Sequence, residues 1–439
     1  MVFIKKFKIF FVIGAVSVLI LIYTYGALEH LRRVNMGGTD QSSYINTAIK
    51  MHDSGYKNLG RGNQMPIYPF LLTLIYDEHM SYEDFFIYGK YFNIVLSIIL
   101  LICLFFIFKK YLSIFQASIL LLIVAFTVFI FKAAFVQAEL LLYFLGFFGF
   151  FLMCRNFFKP SWQLGLMIGA LVAAGYLTKA SVLPGFILYI MVGIFKMAYE
   201  LYKKKRTGIR SQVLSMICSI FVFLLILFPY LHNNKKIYGK CFYNVNTTYY
   251  MWYDSWQACK INTGVYNDRR DMPPYMIPGP VNYFKNHNFM QIMIRMFYVG
   301  YKMMLSNMYS YGYYKYAVIY LLLLCVLLIF NYNYSVKIFK NNFFLTSFCM
   351  LYFLSYFILF SWYGMIVFGN RLSLTIFLPL MFSIFMAVKS LSKDYMVKKW
   401  CTSKSINIFN AVNMAVFVII IYDIFDIVTR RILLIYGGA

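Results

Sequence analysis

The chain has 439 residues, of which 62% are hydrophobic and 13% charged, and its formal net charge is +26. This composition excludes an ordinary soluble domain, because so few polar residues cannot coat a water-soluble globule of this size. The positive charge does not indicate nucleic-acid binding, since many lysines and arginines stand in short loops between apolar segments, near anionic lipid head groups. We therefore predict a lipid bilayer as a partner and no nucleic acid.

Apolar runs close to the roughly 20 residues needed to cross a bilayer recur along the whole chain. About eleven are predicted to be transmembrane helices: 10–25, 85–108, 112–131, 136–154, 164–177, 182–197, 213–231, 316–330, 343–360, 372–388 and 406–427. The first follows Lys5, Lys6 and Lys8 and lacks a small-residue cleavage site, which indicates an uncleaved anchor with a cytoplasmic N-terminus. Alternation then places the basic run 203–206 in the cytoplasm, as the positive-inside rule requires.

Two long polar regions, 28–84 and 232–315, face outward in this topology and are expected to carry short helices that form a cap. Residues 290–315 mix Arg295 and Lys302 with Met, Tyr and Phe, which favours an interfacial helix over a full span. The predicted fold is an all-α polytopic membrane protein. Residues 1–389 form its main module with the two outer loops, and residues 390–439 add a cytoplasmic linker and a last transmembrane helix.

The first outer region contains a carboxylate directly after a membrane span. The turn-forming pair Gly37-Gly38 precedes Thr39 and Asp40. In the simplest interpretation, Asp40 is a first-turn acid stabilised by the helix dipole. The segment 61–70, RGNQMPIYPF, favours a functional role, because it sets Arg61 and two prolines beside an apolar helix in the same loop. Arg61 also suits a solvated loop charge.

These segments resemble the GT-C class of glycosyltransferases, in particular the group that contains protein O-mannosyltransferases and lipid A aminoarabinose transferases. In that family an acid after the first span is followed by a Pro-x-Tyr-Pro stretch, which Asp40 and residues 66–69 are similar to. The resemblance covers about residues 9–385. It departs from the family at Gln41, where many members have a second acid, and at His232, where they have Arg.

Further similarities follow in the order expected for the family. Glu139 looks like the acid that opens the fourth span, and Lys179, within 165–184, looks like the basic residue at an outer turn. The stretch 229–240 resembles the segment with which bacterial members leave the membrane, and Arg371 looks like the arginine that opens a late span. On this resemblance, residues 1–389 are a GT-C-like catalytic module.

The resemblance implies an enzyme that moves a sugar from a polyprenyl-monophosphate donor to an acceptor lipid, glycan or protein. The reaction would take place at the outer face of a bacterial cytoplasmic membrane. Asp40 would be the general base for the acceptor hydroxyl in an inverting displacement, and Glu139 would support it or bind the acceptor or a metal. Arg61, Lys179 and Arg371 would bind the departing phosphate. Lys179 and Arg371 also suit basic residues that snorkel to the interface from span ends.

Aromatic residues gather in the second outer region, where Tyr249, Trp252 and Trp256 lie near Asp254 in the sequence. Together with Tyr68 they are candidates for a platform on which a sugar ring stacks, and an interfacial aromatic belt is the alternative. The histidines share no metal-binding spacing, so no zinc site is predicted, while a divalent metal stays open as the one cofactor.

Two other classes of function compete with the transferase. A transporter or a flippase for lipid-linked oligosaccharides would also need many spans and buried charges, and an O-antigen polymerase or ligase would also handle polyprenyl-linked sugars. The apolar segments show no internal repeat at fixed spacing, which weakens the transporter alternative without excluding it.

Overall fold

The computed structural model describes residues 2–33, 40–57, 64–204, 208–265, 276–302, 305, 313–366, 373–393, 396–398 and 405–432. Among these, eight helices are long and apolar enough to cross a membrane, or nine if a pair bent by 101° at residue 331 forms one span. A short antiparallel hairpin, β1 (Met396–Lys398) and β2 (Ser405–Asn407), precedes the last helix. Apart from this hairpin, the regular structure of the described residues is helical, and the fold class is an all-α polytopic membrane protein.

The helices of the described residues are numbered here in chain order. The first half of the chain contains α1 (Val2–Leu31), α2 (Gln41–Asp53), α3 (Ile67–Thr73), α4 (Tyr82–Tyr111), α5 (Ile114–Ala133), α6 (Glu139–Phe158), α7 (Trp162–Thr178), α8 (Leu183–Tyr202) and α9 (Ile209–Tyr238). The second half contains α10 (Val245–Thr248), α11 (Trp256–Val265), α12 (Pro280–Asn286), α13 (289–302), α14 (Tyr313–Phe330), α15 (Tyr332–Asn341), α16 (Phe343–Tyr363), α17 (Leu374–Leu391) and α18 (Ile408–Arg431).

The predicted number of eleven spans is not confirmed by these helices. The apolar helix α7 has 17 residues, which is short for a span, and α1, of 30 residues, contributes the apolar helix Ser17–Leu31; neither is among the eight. The predicted span 316–330 belongs to the bent pair of α14 and α15. The other eight predicted spans coincide with the eight long apolar helices.

One end of the bundle carries both polar regions. The sulfur of Met65, just before α3, accepts hydrogen bonds from the Tyr230 hydroxyl at 3.3 Å and from Asn244 Nδ2 at 3.5 Å. These contacts join the first polar region to the segment that follows α9. We call this end of the bundle the cap end. The basic residues Lys203 and Lys204 lie at the opposite end, because α8 extends for about 30 Å from its first to its last residue.

Two glycines allow α7 and α9 to approach each other closely. A β-carbon at Gly165 would lie 2.8 Å from the carbonyl carbon of Ser215, and one at Gly169 would lie 3.0 Å from Cβ of Val222. Gly165 and Gly169 are spaced as in the small-residue motif by which helices associate in membranes. This contact fixes α7, and therefore the position of Lys179 at its end.

Replacing Gly165 with Ala is expected to force the two helices apart, because the obstacle is the rigid backbone of Ser215. Overpacking of this kind costs about 1–3 kcal/mol. Gly146→Ala is the matched control, since the nearest atom to its added β-carbon is a Thr375 methyl at 4.0 Å. Thermal unfolding in detergent should show a lower melting temperature for Gly165→Ala alone. Equal melting temperatures for both variants would contradict this account of the α7–α9 contact.

Candidate functional site

A buried ion pair joins two helix ends at the cap end. Glu139 is the first residue of α6, and its side chain is 1% exposed. Lys179 follows the last residue of α7, and its side chain is 27% exposed. The Lys179 ammonium donates to Glu139 Oε1 at 2.8 Å. An acid at this depth is costly unless a cation or a polar group stabilises it, so the pair explains why both residues occur beside apolar helices.

The turn that carries Lys179 is held by a distant helix. The backbone N–H of Lys179 donates to the Gly175 carbonyl at 2.8 Å and closes α7. The next residues form a single 3₁₀ turn, Ala180–Val182. From α16, the Tyr356 hydroxyl donates to the Ser181 carbonyl oxygen at 2.7 Å. Tyr356 therefore fixes the backbone beside Lys179, which the sequence alone did not indicate.

The residue after Asp40 links the first polar region to the turn before Glu139. Asp40 itself is exposed and directly precedes α2. The next residue, Gln41, is fully buried, and its Oε1 accepts a hydrogen bond from the backbone N–H of Val136 at 3.0 Å. Val136 stands three residues before Glu139. The bond between Gln41 and Val136 thus ties the segment of the first predicted acid to the turn that presents the second.

Asn93 of α4 also binds the turn between α5 and α6. Asn93 is fully buried, and its Nδ2 donates to the carbonyl oxygens of Phe135 at 2.7 Å and Lys132 at 3.2 Å. Its Oδ1 accepts from the Tyr68 hydroxyl at 3.2 Å. In the turn that leads into α6, Gln41 thus accepts from a backbone N–H and Asn93 donates to backbone carbonyls. We call residues Gln41, Tyr68 and Asn93 the turn clamp.

The proposed stacking role of Tyr68 does not suit its position. The side chain is fully buried, and the edge of its ring contacts Tyr44 with ring centroids 5.2 Å apart, so it offers no surface to a sugar. Burial, and next the negative charge of Glu139, hold the pKa of the Tyr68 hydroxyl well above its usual range. The hydroxyl therefore stays protonated and available as a donor to Asn93. Tyr68 supports the site from within the protein.

The other three platform candidates contact different sets of rings. Trp252 lies against Trp362 of α16, with ring centroids 5.7 Å apart. Tyr249 contacts Tyr243 at 6.3 Å. Trp256 is 43% exposed and meets Tyr250 edge-on at 5.8 Å. The structure thus shows no ring contact among Tyr249, Trp252 and Trp256 themselves in the described part of the chain, and Trp252 is partly buried against Trp362.

The centre of the cap is a buried arginine that sequence reasoning treated only as part of an interfacial helix. Arg295 is 2% exposed. Its Nη1 donates to Asp254 Oδ1 at 3.2 Å and its Nε donates to the Trp362 carbonyl at 3.0 Å. Asp254 Oδ2 in turn lies 2.9 Å from Nε2 of His287. Asp254 is thus engaged in holding the cap together, and the aromatic residues near it form a small core.

Two predicted phosphate-binding residues cannot be placed. Arg61 and Arg371 lie outside the described residues, so the predicted meeting of Arg371 with Asp40, Glu139 and Lys179 stays a prediction. Within the described part of the chain, no group of three or more His, Cys, Asp or Glu side chains is arranged to hold a metal ion.

The turn clamp can be tested without any assumption about catalysis. Gln41→Leu removes the acceptor for the Val136 N–H, and an unsatisfied buried donor costs about 1–3 kcal/mol. Hydrogen–deuterium exchange should therefore rise by roughly tenfold or more in the peptide that contains Val136. Lys50→Met, at an exposed position of the same helix, is the control and should leave this exchange rate unchanged. Unchanged exchange in Gln41→Leu would contradict the assignment of the bond.

Comparison of the chain with family models, with curated proteins and with solved structures found no match.

Proposed function

We propose that this protein is a glycosyltransferase that moves a sugar from a polyprenyl-monophosphate donor to an acceptor at the outer face of a bacterial cytoplasmic membrane. The observation that carries the proposal is the buried Glu139–Lys179 pair, which is tied through Val136 and Gln41 to the exposed carboxylate of Asp40. The exposed acid Asp40 is thus linked through two hydrogen-bonded segments to the ion pair, which supports a shared site at the edge of the bundle.

The distribution of basic residues supports the proposed sidedness. The ends of the helices opposite the cap carry Lys109 and Lys110 in the last turn of α4, Arg155 and Lys159 at the end of α6, and Lys203 after α8. Short basic connections are typical of the cytoplasmic side, so the cap end is the outer one. In this proposal the eleven predicted spans cross the bilayer, with α7 as a short one. Residues 390–439 then form a cytoplasmic linker that leads into α18.

The residue types suit transfer from a lipid phosphate. A sugar on a phosphate already has a good leaving group, so the enzyme needs a base for the acceptor hydroxyl and cations for the departing phosphate. Asp40 is the proposed base. Lys179 is the proposed phosphate-binding cation, because an ammonium has three donors and contact with Glu139 uses one of them. Arg61 and Arg371 are proposed to join it.

The position of the charges favours a transferase over a transporter or flippase. A transporter is expected to hold its substrate near the bilayer midplane, at interrupted helices. In this protein Asp40, Glu139 and Lys179 lie at helix ends on one side of the bundle. An O-antigen polymerase or ligase would use a diphosphate donor. Incubating purified protein with a polyprenyl-monophosphate sugar and following its consumption distinguishes these alternatives.

Asp40→Asn keeps the size of the side chain and removes the proton acceptor. If Asp40 is the base, turnover should fall by about 10²- to 10⁴-fold while donor binding is retained. Glu83→Gln, an exposed acid at the same end of the bundle, is the control and should retain full turnover. Turnover, donor binding and melting temperature are measured for both. Near-normal turnover by Asp40→Asn, under conditions where chemistry limits the rate, would move the base to Glu139.

The ion pair needs a neutral double variant to separate folding from chemistry. Lys179→Met alone leaves Glu139 buried without its cation, a loss that costs about 3–5 kcal/mol, and it is expected to destabilise the protein. Lys179→Met combined with Glu139→Gln removes both charges and should restore the melting temperature. If Lys179 binds the donor phosphate, the double variant folds but binds donor weakly and turns over slowly. A stable double variant with full donor affinity would mean that the pair is only structural.

A further inference from the structure

Helix α13 has its polar and apolar sides reversed relative to a helix on a water-facing surface. Of its two charged residues, Arg295 in the middle of the helix points inward and is 2% exposed, and Lys302 at the helix end is exposed. Its outward side is apolar and aromatic and comprises Phe289, Met290, Ile294, Phe297, Tyr298 and Tyr301, which are 44–76% exposed. A surface helix in water shows the opposite pattern. We propose that this outward face of α13 contacts membrane lipid at the boundary between head groups and acyl chains, in the leaflet at the cap end.

The inward side of α13 is occupied in full by the protein. Nη2 of Arg295 donates to the carbonyl oxygens of Met251 at 2.8 Å and Tyr253 at 2.9 Å, in addition to its bonds to Asp254 and Trp362. The guanidinium also lies over the Trp362 ring at 4.4 Å. These contacts fix the rotation of α13 about its axis. The aromatic face therefore points away from the protein because the arginine is held inside.

Helix α13 packs near the cap end of α16, a helix that is long and apolar enough to cross a membrane. Phe297 lies against Phe357 of α16, with ring centroids 6.4 Å apart, and a β-carbon at Gly300 would lie 2.8 Å from Phe357 Cζ. Phe357 stands six residues before the last residue of α16, which corresponds to about 9 Å along the helix axis. Interfacial helices lie with their apolar face about 5–10 Å into the boundary between head groups and acyl chains.

The outward face of α13 also continues the apolar surface of a membrane span. Leu354, one turn from Phe357 on α16, is 50% exposed, and Met350 is 64% exposed. Phe297 and Phe357 connect this strip to α13. At the other end of the outward face, the Lys302 ammonium lies 4.6 Å from the centre of the Tyr298 ring, where it can reach the head groups. Lipid thus covers both α16 and α13 as one surface.

Lipid contact would give α13 a specific role in the cap. Because Arg295 joins α13 to Met251, Tyr253 and Asp254, a helix held in the bilayer also holds the cap segment against the membrane. This role does not depend on the chemistry that the site performs, so it can be tested apart from any transferase activity.

The test uses a photoreactive aromatic residue and a lipid bilayer. Phe297 is replaced by p-benzoylphenylalanine, the full-length protein is placed in phospholipid nanodiscs and irradiated, and adducts are identified by mass spectrometry. The same replacement at Phe221, which is 62% exposed in the middle of α9, gives the value for a lipid-facing span. Replacement of Tyr56, which is 45% exposed three residues after Asp53, gives the value for an exposed aromatic residue outside the long apolar helices.

Position 297 is expected to form phospholipid adducts with a yield within roughly twofold of position 221 and well above position 56. A yield as low as that of position 56 would overturn the proposal. A covalent dimer at position 297 in place of lipid adducts would also overturn it, and would assign the face to a second copy of the chain. Repeating the measurement at Phe289 distinguishes contact along the whole face from contact at one residue.

Discussion

A carboxylate that is 1% exposed at the edge of a membrane bundle needs a cation, and the 2.8 Å contact between Glu139 and Lys179 meets this need. The pair requires the start of α6 and the end of α7 to lie at one level and at one end of the bundle. Every polar contact around it serves that requirement. The turn clamp holds the chain before Glu139, and Tyr356 holds the chain after Lys179. The glycines of α7 fix the helix between them.

The membrane helices were predictable because a bilayer imposes their length and composition. The span predicted at 85–108 lies within α4, and the one predicted at 164–177 lies within α7. Their packing was not predictable in the same way. Apart from a few polar residues such as Asn93, these helices are apolar on all sides, so no continuous polar face indicates which side meets the protein and which meets lipid. That the backbone of Ser215 lies against Gly165 follows only from the assembled bundle.

The charged residues of the site could be predicted from the sequence, and the uncharged residues that hold them in place could not. Glu139 and Lys179 stood out because acids and bases beside apolar runs need an explanation, and the structure places them in contact. Gln41 and Asn93 carry no charge, and their hydrogen bonds reach residues 95 and 42 positions away, so no local pattern reveals them. The ring contacts of the aromatic candidates were not predictable for a related reason. Trp252 finds its partner Trp362 on α16, 110 residues further along the chain.

Burial at the two charged centres differs in a way that bears on function. In the cap, Arg295 is almost completely enclosed and all of its groups bind protein, so an added ligand would have to displace those bonds. At the Glu139–Lys179 pair, the acid is enclosed while the lysine side chain is 27% exposed.

An anion that approaches Lys179 from the exposed side need not break the contact with Glu139, because the ammonium can donate to both. The neighbouring carboxylate then offsets part of the attraction, so the anion is held strongly only when other cations join Lys179 or when negative charge on it increases during reaction. That second condition describes a departing phosphate, which is why this pair suits a site of transfer better than the arginine of the cap.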